Sequence, residues 1–366
     1  MSPHAELSLE HPEGGSRLLT GARIAHSPFH RQGNLLLSER LALDPFGSLY
    51  RGVALNGEHF GRHLLVRLFS GEFQRAARIG SRLHLAVREV LNLGYERALG
   101  LRFLIEDDPV PLLACDHLPG LSLAQVVKTL GHGLPPDLAL SVLARVARGV
   151  HRMHVARLPH GTLTPHAVWL GYQGLVRVLD APIARVLCES LPRTPDAKAA
   201  LAPFLHPGAT DPVGLDLFQL GALFHVLLTG RPLADPRRPE ASWARARSHS
   251  PHGPVDLHPA LHHLLGRLLA VEAPFPDLET LLRTLEGLLL GPEAPAHTFE
   301  LAHWMQRHFR DPWRREQMNL QVERDWDFRW LLAQETRKAA EHARAAEAGA
   351  QTPAVPKRFS LLRSTS

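Results

Sequence analysis

The sequence predicts an α+β fold: a small β-rich lobe joined to a larger α-helical lobe, followed by a helical C-terminal extension. Three observations carry this. Short β-type runs broken by turn signals fill the stretch from Leu35 to about Val66. The chain thereafter is dominated by apolar residues at helical spacing. Four of the six tryptophans, Trp304, Trp313, Trp326 and Trp330, gather beyond residue 300. Strands first and helices later is the order of segregated layers, not of an alternating α/β sheet.

Taken in order, residues 1–33 are rich in Gly, Ser, His and Pro without periodicity and read as a flexible leader. From Leu35 to Val66 the pattern predicts three antiparallel strands and two turns, with Asn56-Gly57 as the best hairpin signal. Glu72 to Leu93 is helical in composition, and Arg102 to Asp116 reads as two strands joined by a polar turn. Leu138 to His154 has apolar residues at 3.6-type spacing, and Pro-rich interruptions at 192–207, 232–239 and 251–259 read as loops. The folded domain is thus placed at 34–290, with lobes at 34–117 and 118–290, a helical extension at 291–346 and a disordered tail at 347–366.

Within the extension, Leu301, Trp304, Met305, His308 and Phe309 share one helical face, and Pro312 breaks the run. Met318, Val322, Trp326 and Trp330 then recur every four residues, so two amphipathic helices are expected. They either dock on the chain's own large lobe or present aromatic anchors to a partner, in which case Trp304, Phe309, Trp326 and Trp330 are the candidates.

Composition narrows the functional classes. The formal net charge of +5 is spread over interspersed Lys, Arg, Asp and Glu, which argues against a nucleic-acid surface. Of 24 histidines the densest group, His249, His252, His258, His262 and His263, fits no zinc spacing and reads as a His-rich loop running into a helix. Cys115 and Cys188 lie far apart and suit a reducing cytoplasm. The N-terminus lacks the order of a signal peptide, and no apolar run matching a membrane span of ~18 residues is evident, so a cytoplasmic protein without a membrane partner is expected.

The order of elements, together with FGSLYRG, LLVRLF, HGTLTPHAV, VLDAP and DLFQLGALFHVLLTGRPL, resembles the bacterial Hanks-type Ser/Thr protein kinase family from about Leu35 to Leu290. The resemblance implies a two-lobed protein kinase-like fold, and it identifies the few side chains on which phosphoryl transfer would rest. Most are replaced. The three phosphate-loop glycine positions read Ala42, Asp44 and Gly47; Asp44 puts a carboxylate where an anion should sit, and Pro45 removes an N–H. The strand lysine is Arg67, and its helix glutamate falls at about Ala76. The catalytic aspartate, the phosphate-steadying lysine and the metal-binding asparagine are Thr162, Thr164 and Ala167. His160 keeps the frame of that loop, and Asp216 resembles the residue that anchors its backbone. Asp180 is retained as a possible Mg ligand, although Ala181 and Pro182 follow it. Its other reading is a strand-end carboxylate satisfied by backbone donors. Gly161 replaces the arginine that grips an activation-segment phosphate, which argues against control through Ser190 or Thr194. Gly208 and Pro274 stand where the family has a buried ion pair.

The resemblance therefore implies a degenerate member, a pseudokinase acting as a regulatory or scaffolding module for a protein partner such as an active kinase or its substrate. No cofactor is expected on that reading. Two rivals keep ATP and Mg: an atypical Ser/Thr kinase using Arg67 and Asp180, and a nucleotide sensor without turnover in which Gly47, Arg67 and Asp180 bind.

Overall fold

The protein is described from a computed structural model covering residues 30–32, 34–55, 60–74, 103–106, 112–206, 211–250, 253–289 and 298–326, with single positions within 82–88 and 328–344. The Asn56-Gly57 turn, Ala76, Gly208, Trp330, most of the leader and the tail lie outside the described residues.

The small lobe is a six-stranded antiparallel sheet in the order β1-β2-β3-β4-β6-β5. Its strands are β1 (His30–Gln32), β2 (Leu35–Asp44), β3 (Gly47–Ala54), β4 (His63–Phe69), β5 (Phe103–Glu106) and β6 (Leu112–Asp116). The first is a correction: His30–Gln32, assigned to the leader, pairs with Leu35–Leu37, because the backbone donors and acceptors of that edge find partners there. In β4 the two-residue period sorts side chains cleanly. Leu64 and Val66 join Leu35, Leu37, Leu112 and Ala114 in one cluster, while Leu65 enters a second cluster with Leu49, Cys115 and Leu179. Arg67 shares the face of Leu65 and so is delivered toward the large lobe. A short helix, α1 (Gly71–Gln74), follows β4, and residues 82, 83, 85, 86 and 88 are helical.

The large lobe is built on α2 (Leu123–Leu130), α3 (Pro136–Val155) and the later α6 (Pro212–Thr229), with the three-stranded β7 (Gly120–Ser122), β8 (Val168–Gly171) and β9 (Val176–Val178) beside them. Ser122 and Gln125 start α2 with a reciprocal capping box, and Gly131 ends it in the left-handed conformation. Helix α6 is long and apolar enough to cross a membrane, which corrects the expectation that no segment is. It is 72% buried, its apolar length being used as the central helix of the core.

Two predicted loops are ordered elements. Residues 192–207 contain part of a chain of short helices that includes α4 (Ala184–Ser190), α5 (Pro195–Leu201) and 3-10 turns at Leu191–Arg193 and Ala202–Phe204. The 251–259 stretch includes the strand β11 (Gly253–Asp256), paired with β10 (Arg247–Ser250). The remaining helices are α7 (Glu240–Ala244), α8 (Pro259–Leu268), α9 (Leu278–Leu289), α10 (Thr298–His308) and α11 (Arg310–Arg324). The break between the last two falls at Phe309 and not at Pro312, which sits in the first turn of α11 where a missing N–H costs nothing. Met1–Met318 form one compact unit and Asn319–Ser366 a second.

Candidate functional site

The site begins with Arg67. Its alternation on β4 aims it into the face between the lobes, where it is 2% exposed. Nε donates to Asp180 Oδ1 and Nη2 to Asp180 Oδ2, both at 2.7 Å, a bidentate fork; Nη1 donates to Asp44 Oδ1 at 2.7 Å. Burial alone would lower the arginine pKa, but the carboxylates of Asp180 and Asp44 outweigh it and hold the guanidinium charged. One cation faces two carboxylates. Burial accordingly pushes the Asp180 carboxyl up from its ordinary value, with Arg67 opposing and Asp44 adding to the rise. Asp180 is itself held in the left-handed region at φ 62°, a conformation that aspartate tolerates better than most residues. The backbone-donor reading of this side chain is corrected: its hydrogen bonds go to Arg67.

The second carboxylate comes from the β2–β3 hairpin. Asp44 Oδ1 also accepts from the backbone N–H of Phe46 at 2.9 Å and of Gly47 at 3.1 Å, so the hairpin tip turns its donors inward onto its own side chain. Its Oδ2 is buried with no hydrogen-bond partner among the described residues. Phe46, 2% exposed, folds beneath the tip, with its ring 6.0 Å from the Arg67 guanidinium and 5.4 Å from the ring of Phe73 on α1. Gly47 has a steric reason to be glycine. At φ +146° a β-carbon would lie 2.0 Å from the Leu68 carbonyl oxygen.

The third part is the loop at 160–167. Helix α6 grips it with two side chains one turn apart. Asp216 accepts from the N–H of His160 at 2.8 Å and of Gly161 at 2.6 Å, and pairs with His154 Nε2 at 2.6 Å. Gln219 accepts from Leu163 N at 2.9 Å and donates to the Gly161 carbonyl at 2.8 Å. His160 is fully buried, and its Nε2 lies 3.2 Å from the Leu179 carbonyl. Thr162, Thr164 and Ala167 are brought into this same loop and are each at most 2% exposed. Thr162 Oγ1 is a long 3.4 Å from His160 Nδ1, and Thr164 Oγ1 is buried with no partner among the described residues. No carboxylate occupies any of the three positions. Helix α4 lies over the loop: a β-carbon on Gly161 would be 3.3 Å from Cys188 Sγ. Ser190 and Thr194 are buried, their hydroxyls donating to the carbonyls of Val186 and Ser190.

Beside Arg67 the cleft is apolar and full. Trp169 on β8 is completely buried and clusters with Ala42, Leu49, Leu65, Cys115, Leu118 and Leu179. Its indole N–H donates to the backbone carbonyl of Leu118, in the connector between the lobes, at 2.8 Å. Among the described residues a cavity of about 20 Å³ is lined by Leu49, Leu65, Arg67, Leu113, Cys115, Leu179 and Asp180. That is room for about one water molecule. The Arg67 guanidinium and the Asp180 carboxylate beside it are already paired with each other, and Arg67 also with Asp44. Among the described residues no group of three or more His, Cys, Asp or Glu side chains is placed to hold a metal.

The aromatic candidates of the extension separate. Phe309, 2% exposed, lies in the large-lobe core with Leu301 and Met305, and Trp304 packs partly buried against the same core, so neither is a free surface anchor. Trp326 is partly exposed. Three side chains that hold the cleft and its connector escape the sequence reading: Trp169, Gln219 and Glu316. Gln219 had a signal, being three residues after Asp216 on one helical face. Trp169 had only the weak one of a large aromatic within an aliphatic strand. Glu316 on α11 is 6% exposed and takes His117 Nε2 at 2.9 Å and the Gly120 N–H at 3.2 Å, binding the extension to the connector.

Comparison with known proteins follows the geometry. The chain is similar to the serine/threonine-protein kinase Pkn1 of Myxococcus xanthus, 26% identical over 66% of this chain and 36% of that protein. It is similar to a probable serine/threonine-protein kinase of Clostridium perfringens, 22% identical over 46% of this chain and 25% of that protein. The kinase PrkC of Bacillus subtilis is 23% identical over 54% of this chain and 28% of its own length. The chain thus spans about a third or less of the length of these curated relatives. No family model matches.

Proposed function

From a kinase-like chain related to the bacterial Hanks-type serine/threonine protein kinases, we propose a catalytically impaired member that acts by binding a protein partner, as a regulatory or scaffolding module. The observation that carries this reading is the Asp44–Arg67–Asp180 network. The cation placed to meet a nucleotide's phosphates is spent on two side chains of the same molecule, at 2.7 Å each.

The catalytic loop supports it. A threonine hydroxyl at 162 is no base near neutral pH, and alanine at 167 is no metal ligand. A cavity of about 20 Å³ favours binding without nucleotide over nucleotide sensing. The partner surface is sought on the exposed faces of the lobes and on Trp326, in a cytoplasmic setting.

The test is a phosphotransfer assay with radiolabelled ATP and Mg on the purified chain, with and without generic protein acceptors, against a heat-killed control. No incorporation is expected. Incorporation that Asp180→Asn abolishes would overturn the reading.

A further inference from the structure

Two features of the cleft are unexplained by loss of catalysis alone. A site that merely decays needs neither a carboxylate meeting three converging donors nor a tryptophan hydrogen-bonded to the lobe connector. Both are present. Asp44 Oδ1 collects the N–H groups of Phe46 and Gly47 and Nη1 of Arg67, within 2.7–3.1 Å. Two turn amides and one cation converging on a single oxygen are the donor set of an anion site. Trp169 puts a flat, fully buried ring with one N–H into the neighbouring apolar slot and bonds it to Leu118 O at 2.8 Å. A flat aromatic with one edge donor on connector backbone has the shape and polarity of a purine base.

We infer that Asp44 and Trp169 are a built-in ligand, the carboxylate standing in for a phosphate group and the indole for a base, so that the lobes are held together in a ligand-bound arrangement without any nucleotide. This rests on the kinase-like reading of the cleft and deepens it. The two lobes are then coupled permanently. Asp44 and Arg67 come from the sheet, Asp180 and Trp169 from the large lobe, and each link crosses the cleft or closes its mouth.

Two variants and two probes test it by melting temperature. Asp44→Ala empties the anion position and is probed with inorganic pyrophosphate against sodium chloride of equal ionic strength. Trp169→Ala empties the slot and is probed with adenosine. Both variants should melt lower than the parent chain. Each should regain about 2–4 °C with its own probe at about five times the dissociation constant, and neither should respond to the other's. The parent chain should respond to neither probe, nor to ADP.

Should a variant not fold, Asp44→Ser, whose shorter side chain still vacates the anion position, and Trp169→Val, which still opens the slot, replace them. Rescue that is absent, or not matched to the vacated position, would overturn the inference and leave the proposed function standing. Stabilisation of the parent chain by ADP without phosphotransfer would overturn the inference alone. Phosphotransfer by the parent chain would overturn both.

Discussion

At the scale of single residues, Arg67 joins the two carboxylates of the cleft. A lysine there would be a compact point charge without a fixed fork; the planar guanidinium meets three oxygens, two of them from one carboxylate. Removing it strands two carboxylates in a buried site. Arg67→Met should therefore lower the unfolding free energy by about 3–5 kcal/mol, measured by urea denaturation. A loss under about 1 kcal/mol would show the network to be solvated or dispensable. The positions of Asp44, Arg67 and Asp180 were legible in the sequence, but their pairing was not. Arg67 and Asp180 are 113 residues apart, and only the closing of the lobes makes them neighbours.

Three histidines, one buried and two half-buried, contribute to the acid response. His117, His166 and His225 all have pKa values lowered from 6.5, in each case first by burial. The folded chain keeps them neutral while the unfolded chain takes up protons from about 6.5 downward, so stability is full above that value and falls as the pH drops through it. Asp180, raised by burial, works in the opposite sense, its contribution being lost as pH rises through its folded value. The histidine share is isolated by comparing urea midpoints at pH 7.5 and 5.5 for the parent chain and His225→Gln. A smaller acid loss in the variant is expected, and an unchanged loss would remove His225 from the account.

At the scale of elements, proline misled the sequence reading where helices were short. Pro192, Pro195 and Pro203 were taken as loop markers, yet each sits in the first turn of a short helix or 3-10 turn, where its fixed φ favours the start. The strands of the sheet were legible because their turns and β-branched or leucine runs agree, and α3 because its apolar period is long. The phase of α11 was not. Its spacing pointed to Met318, which is 55% exposed, while the buried positions are Glu316, Leu320 and Glu323. A glutamate turned inward leaves no apolar signature. Its role is testable: Glu316→Ala leaves His117 Nε2 and the Gly120 N–H without their acceptor and should cost about 1–3 kcal/mol by chemical denaturation. A neutral result would mean that water replaces the carboxylate at no loss.

At the scale of the whole molecule, a strand-first, helix-later order was enough to foresee two lobes, but not that the cleft between them is filled. The described residues of both lobes fall within the compact unit Met1–Met318. Arg67–Asp180 and Trp169–Leu118 are two of the links inside it. Unfolding followed by tryptophan fluorescence, which reports mainly on the helical lobe, and by a fluorophore placed at exposed Leu43 should then give coincident denaturant curves. Separate midpoints would show that the lobes melt independently.

The filled cleft also contains a thiol. Cys115 lines the residual cavity, and burial pushes its pKa up to about 11, so in the closed molecule it is both inaccessible and protonated. Cys188, only partly buried, offers a thiol-reactive dye an earlier target. Labelling of the chain should accordingly be biphasic, and the slow phase is a clock: its rate counts how often the two lobes part in the absence of any added molecule.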